Sequence, residues 1–110
     1  MATYDPPRLI ADIGGTYARF AIERESGVFE AAVSLRCADH ADFHAAVRAY
    51  LDTLPPGTAV EHAAVAIANP VEGDRVRMTN YHWEFSIEEM RQRLKLDTLL
   101  VVNDFTALAM

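Results

Sequence analysis

Thiols are almost missing from this chain: Cys37 is the only cysteine in 110 residues, so no internal disulfide can form and the composition suits a reducing cytoplasm. Basic clusters are missing as well. Ten Lys and Arg stand against sixteen Asp and Glu, a net charge of -6 with histidine neutral, which argues against a nucleic-acid surface. No apolar run approaches the roughly 20 residues of a membrane helix. The opening Met1-Ala2-Thr3-Tyr4-Asp5-Pro6-Pro7 has neither the basic nor the apolar region of a secretion signal. There is no internal repeat and no low-complexity linker. What is present is 51% hydrophobic, enough for the core of one soluble globular domain, and residues 1–110 read as a single domain with no membrane contact.

The order of elements follows from changes of period. Leu9 to Ile13 is an apolar strand. In Ala18-Arg19-Phe20-Ala21-Ile22-Glu23, Phe20 and Ile22 fall on one face and Arg19 and Glu23 on the other. Glu25-Ser26-Gly27 turns the chain, and Val28 to Arg36 is a third strand with Val33 and Leu35 alternating against Ser34 and Arg36. Phe43, Val47, Tyr50, Leu51 and Leu54 then recur at helical steps, until Pro55-Pro56-Gly57 ends the helix. The unbroken run Ala63 to Ala68 predicts a strand buried on both faces, reached by a parallel crossover. An irregular stretch follows, with a hairpin expected around Glu72-Gly73-Asp74. Ser86 and Glu89 form a capping box, with Phe85 and Met90 as its staple, for a helix whose buried face is Ile87, Met90 and Leu94. Leu99 to Val102 is another buried strand, delivering Asn103-Asp104 at its carboxyl end, where open α/β sheets place ligands. The expected fold is α/β, a mixed sheet with three antiparallel opening strands and then parallel crossovers.

Chemistry concentrates in Ala11-Asp12-Ile13-Gly14-Gly15-Thr16. An acid in an apolar strand is costly to desolvate without a partner. The two glycines can bring backbone N–H groups close to anionic oxygens, with the Thr16 hydroxyl as a further donor, and a nucleotide phosphate with Mg²⁺ would satisfy all of these groups. The competing reading is a plain hairpin turn. The loop is neither a Walker A sequence, since no Gly-Lys-Ser/Thr follows, nor a G-x-G-x-x-G dinucleotide loop. Asn103-Asp104 also has two readings: the N-cap of a following helix, or a carboxylate that takes a proton from a substrate hydroxyl beside an amide that bonds neighbouring oxygens.

The ordered set Asp12-Ile13-Gly14-Gly15-Thr16-Tyr17-Ala18-Arg19, Ala66-Ile67-Ala68-Asn69-Pro70 with Gly73-Asp74, Met78-Thr79-Asn80 with Trp83, Phe85 and Ser86, and Val102-Asn103-Asp104-Phe105-Thr106-Ala107 resembles the N-terminal domain of bacterial glucokinases. The resemblance covers nearly the whole chain. It implies a ribonuclease H-like (actin-like ATPase) fold of the hexokinase and actin superfamily, in which two domains close over ATP and sugar. It also implies ATP-dependent phosphorylation of glucose in glycolysis, with Ala11, Asp12, Ile13, Gly14, Gly15 and Thr16 in the ATP-phosphate segment and Asp12 holding Mg²⁺ through water. Asn103 and Asp104 would contact glucose, Asp104 as base for the 6-hydroxyl. The intact protein is expected to be a cytoplasmic homodimer, and this chain to stop short of the C-terminal domain.

Two departures stand out. Tyr17 replaces the family's usual Asn beside the loop. The second glycine-rich loop, the Glu-Gly-Gly-His sugar segment and the adenosine contacts are not in these residues, so the chain alone is expected to be inactive. A sugar-sensing regulator and a non-catalytic truncated domain are the rival readings, because fold alone does not set function. Among other polar residues, His40 and His44 have zinc-compatible spacing but no third ligand. Arg75 and Arg77 read as a solvated strand face. Asn80 and Trp83 could border the sugar cleft, but Trp83 reads as core, with no catalytic role. Cys37 and His62 offer only packing or surface.

Overall fold

The computed structural model describes residues 3–68, 71, 73–78 and 83–103. Its elements run β1 (Thr3–Ile13), β2 (Tyr17–Glu25), β3 (Val28–Arg36), α1 (Phe43–Leu51), β4 (His62–Ile67), β5 (Arg75–Arg77), β6 (Glu84–Ser86), α2 (Ile87–Arg93) and β7 (Thr98–Asn103). Five of the strands form one sheet in the order β3-β2-β1-β4-β7, with β5 and β6 as a separate ribbon. β1, β2 and β3 pair antiparallel, whereas β4 joins β1 and β7 joins β4 in parallel. This is the expected mixed sheet.

Local chemistry accounts for the element ends. Pro6 and Pro7 cannot donate to a ladder, and the β1–β2 register shifts between Thr3 and Arg8. The Asp42 carboxylate accepts the Ala45 N–H at 2.7 Å and caps α1. At α2, Ser86 Oγ accepts the Glu89 N–H at 3.2 Å, the N-cap half of the expected box, and Phe85 and Met90 are both buried. Asp74 extends that cap: it accepts the Ser86 hydroxyl and, at 2.9 Å, the Glu88 N–H.

One buried cluster joins the helices and the β5–β6 ribbon to a single face of the sheet, through Leu9, Ala11, Ile13, Phe20, Val65 and Val101 from the strands and Val47, Tyr50, Trp83, Phe85 and Met90 opposite. Phe20 stacks on Tyr50 at 5.2 Å between ring centroids, and Phe43 on Phe85 at 5.0 Å. The expected apolar face of α1 is therefore the real one.

Three expectations fail. β4 and β7 are not buried on both faces: Ala64, Ala66 and Val102 are half-buried and Leu100 is exposed. The reason is that the packing cluster covers only one side of the sheet. Glu23 is not on a solvated face. Its register is broken by irregularities in the β2–β3 pairing, and it lies buried against Arg8, whose Nε donates at 2.9 Å, and the Gly27 N–H, also at 2.9 Å. Burial alone would raise the Glu23 carboxyl, but the Gly27 amide and the Arg8 guanidinium outweigh it and hold it below its ordinary value. Finally, Gly73 and Asp74 form a turn before β5, but β5 pairs antiparallel with β6, which follows it, and Glu72 lies outside the described residues.

Candidate functional site

The sheet gathers its chemistry at one edge. Ile13 ends β1 opposite Ile67 of β4, and Ile67 lies opposite Asn103 of β7, so the glycine loop and Asn103 leave the same edge two strand spacings apart. At about 4.8 Å per spacing that is roughly 10 Å. A parallel arrangement guarantees the coincidence, because all three strands end in the same direction.

The loop after β1 opens on a cavity of about 310 Å³ lined by Asp12, Gly14, Gly15, Thr16, Tyr17 and Arg19. Gly15, Thr16 and Asp12 are exposed. The Gly14 N–H donates to the Tyr17 carbonyl at 2.9 Å, which closes the turn. That amide is therefore spent within the loop, whereas Gly15 and Thr16 are exposed and line the cavity. Neither Gly14 nor Gly15 has a positive φ. A Cβ on Gly14 would sit 3.4 Å from the Tyr17 carbonyl oxygen, an ordinary van der Waals contact.

Asp12 departs from the desolvation argument. Alternation along β1 points it away from the packed face, into solvent at the cavity, so no burial cost has to be met. It lies across the ladder from Arg19 without an ion pair to it, and among the described residues it has no salt-bridge partner. An exposed carboxylate beside a hydroxyl and open backbone amides fits a hydrated Mg²⁺ next to phosphate.

Asn103 is half-buried at the end of β7, and its Nδ2 donates to the Ala68 carbonyl at 3.4 Å. Asp104 lies outside the described residues, as do Asn69, Pro70, Thr79 and Asn80.

Cys37 was missed as a site residue. Its N–H donates to the Thr16 carbonyl at 2.9 Å and its Sγ lies 3.8 Å from the Gly14 carbonyl, so it braces the loop from below. Burial pushes the thiol up, which keeps it a neutral support rather than a nucleophile. Its place follows from the β2–β3 register, which no local pattern announces: Tyr17 pairs with Arg36, which brings residue 37 beside residue 16.

Other candidates resolve simply. Arg75 and Arg77 are exposed, flank buried Val76 and pair with Glu84, as a solvated face should. Trp83 is buried with its Nε1 donating to the His40 carbonyl at 3.3 Å, a core role.

Sheet order, mixed polarity and a glycine loop at the carboxyl edge define a domain of the ribonuclease H-like, actin-like ATPase fold. The chain belongs to the glucokinase family: the family model Glucokinase matches residues 9–110. It is 60% identical over 104 residues to a glucokinase of Neisseria meningitidis serogroup B (strain MC58), covering 94% of this chain and 31% of that protein. It is 56% identical over 106 residues to a bifunctional protein of Paraburkholderia xenovorans (strain LB400), covering 96% of this chain and 16% of the relative. The solved glucokinase of an Antarctic psychrotroph matches with a TM-score of 0.86 at 37% identity, covering 94% of this chain and 34% of that one. A glucokinase of Streptomyces griseus, in complex with glucose and AMPPNP, has a TM-score of 0.68 at 21% identity, over 94% of this chain and 35% of that one, a likeness of fold alone. The chain thus spans about a third or less of the relatives it matches. Among the described residues, no helix is long and apolar enough to cross a membrane.

Proposed function

We propose that this chain is the N-terminal lobe of an enzyme that transfers the γ-phosphoryl group of ATP to the 6-hydroxyl of glucose. The shared edge carries the reading: the cavity at Gly14–Thr16 and the end of β7 at Asn103 lie two strands apart on one side of one sheet. Family membership supports glucose and ATP as the substrates, since the matching family model and the Neisseria relative are both glucokinases.

Phosphoryl transfer asks the protein mainly to position groups and to stabilise charge. In this reading Ala11 to Thr16 form the phosphate segment, with the Gly15 and Thr16 donors turned to phosphate oxygens. Asp12 would hold Mg²⁺, which would supply neutralising charge to the phosphates. Asn103 hydrogen-bonds sugar oxygens while Asp104 orients the 6-hydroxyl and takes its proton as the bond to phosphorus forms. The adenosine site and the rest of the sugar pocket lie elsewhere in the parent, which works as a cytoplasmic homodimer. Chain 1–110 by itself does not turn over.

Asp104→Asn in the parent tests the assignment. It should lower kcat by about 10² to 10⁴ with little change in sugar affinity, because the amide keeps the hydrogen bonds and loses the basic oxygen. Were the residue only a helix cap, Asn would serve nearly as well, so kcat above about a tenth of wild type overturns the role.

A further inference from the structure

The opposite edge of the sheet holds a second cluster that the phosphate chemistry does not use. We propose that Glu61, His62 and Asp97 form a divalent-cation site, of the class filled by zinc, that clamps the first residues of β4 to those of β7. One ligand atom on each side chain lies within 4.8 Å of the other two. The backbone beneath them is fixed: the Asp97 and Thr98 N–H groups both donate to the Glu61 carbonyl, at 2.7 and 3.3 Å, and His62 stands opposite Thr98 in the parallel ladder. The ring is held as well, with His62 Nδ1 2.7 Å from Thr98 Oγ1. With Nδ1–H donating to the Thr98 hydroxyl, Nε2 keeps its lone pair for a cation, the usual outer support of a metal-bound histidine.

Charge points the same way. Two carboxylates converge with no salt-bridging cation within 4.0 Å of either among the described residues. Arg91 feels the charge of Asp97, but its hydrogen bonds go to Glu88 and to the Leu96 carbonyl. One imidazole with two carboxylates suits zinc, with water completing four ligands, whereas Mg²⁺ prefers an all-oxygen shell. Glu61 and Asp97 are exposed and His62 half-buried, so ions can enter. The six residues of β4 put this edge about 17 Å from the glycine loop, so the site stands or falls independently of the proposed catalysis.

The test is calorimetric titration of chelator-stripped, nucleotide-free chain with Zn²⁺. One equivalent should bind, His62→Ala and Asp97→Asn should each weaken binding at least about tenfold, and Thr98→Val about tenfold through the lost outer support. His44→Ala, on α1, should bind as wild type does. Because a variant can lose zinc by misfolding, far-UV circular dichroism and zinc-free Tm are compared first. A zinc-dependent rise in Tm that disappears in a natively folded Asp97→Asn supports the site. No saturable binding below about 0.1 mM, or equal binding by folded His62→Ala, overturns it.

Discussion

Ala11 and Asp12 are neighbours in β1, yet Ala11 is 2% exposed beneath the helices and Asp12 opens on the glycine-loop cavity. The whole sheet divides in this way. On one face Leu9, Phe20, Val65 and Val101 meet the aromatic rings of Tyr50, Phe43 and Trp83. On the other, Ile10, Asp12, Arg19, Ala21, Phe29 and Ala32, together with otherwise buried Phe20, line a shallow apolar hollow, and Leu100 is 58% exposed. Strand alternation thus separates stability from chemistry within single strands: odd positions of β1 hold the fold and even ones remain available to ligands or to further protein.

The sharpest way to break this comparison uses one residue type on both faces. Phe20→Ala removes a ring stacked on Tyr50 and should cost about 3–5 kcal/mol in urea unfolding. Phe29→Ala, 56% exposed, should cost within about 0.5 kcal/mol. Equal losses would mean that the open face is covered.

A smaller effect comes from the charge buried between β1 and β2. Arg8→Met leaves the Glu23 carboxylate without its guanidinium and should cost about 1–3 kcal/mol at pH 7. Since the folded value of Glu23 lies below the ordinary 4.5, its bonds stabilise the fold above that pH, and the contribution fades as pH falls through the lowered value. Denaturation across pH 2 to 7 should show the gap between wild type and variant narrowing in acid, and a constant gap would place the effect in packing instead.

The packed face also reaches across to β3, where the Tyr50 hydroxyl donates to the Ala31 carbonyl at 2.8 Å. Tyr50→Phe should cost about 1 kcal/mol by thermal unfolding. Burial pushes this phenol up, so the loss should be flat through neutral pH. The smallest change carries the opposite sign. Ala31 sits at φ 53, where a Cβ is strained, so Ala31→Gly should gain about 0.5 kcal/mol. A loss there would mean that the Ala31 methyl packs more than its exposure indicates.

Much of this was legible in the residues. The stripe Phe43, Val47, Tyr50 and Leu54, the Ser86 cap with its Phe85–Met90 staple, and the loop at Gly14–Thr16 are local signals read by short-range chemistry, and each stands where expected. Glu23 was not legible, because alternation assumes an unbroken register and the β2–β3 pairing is irregular there. The Glu61, His62 and Asp97 cluster was not legible either, since His62 gains its neighbours only when β7 pairs with β4.

The division follows from the range of the forces. Periodicity, caps and the glycine loop act over a few residues, so the sequence by itself determined the helices, the strands of the main sheet and the motif that places the chain in its family. Burial is a property of what lies opposite. The one-sided cover of β4 and β7, the solvent at Asp12, the brace from Cys37 and the sinking of Glu23 were decided only when the sheet closed against its helices, because each depends on contacts between segments far apart in the chain.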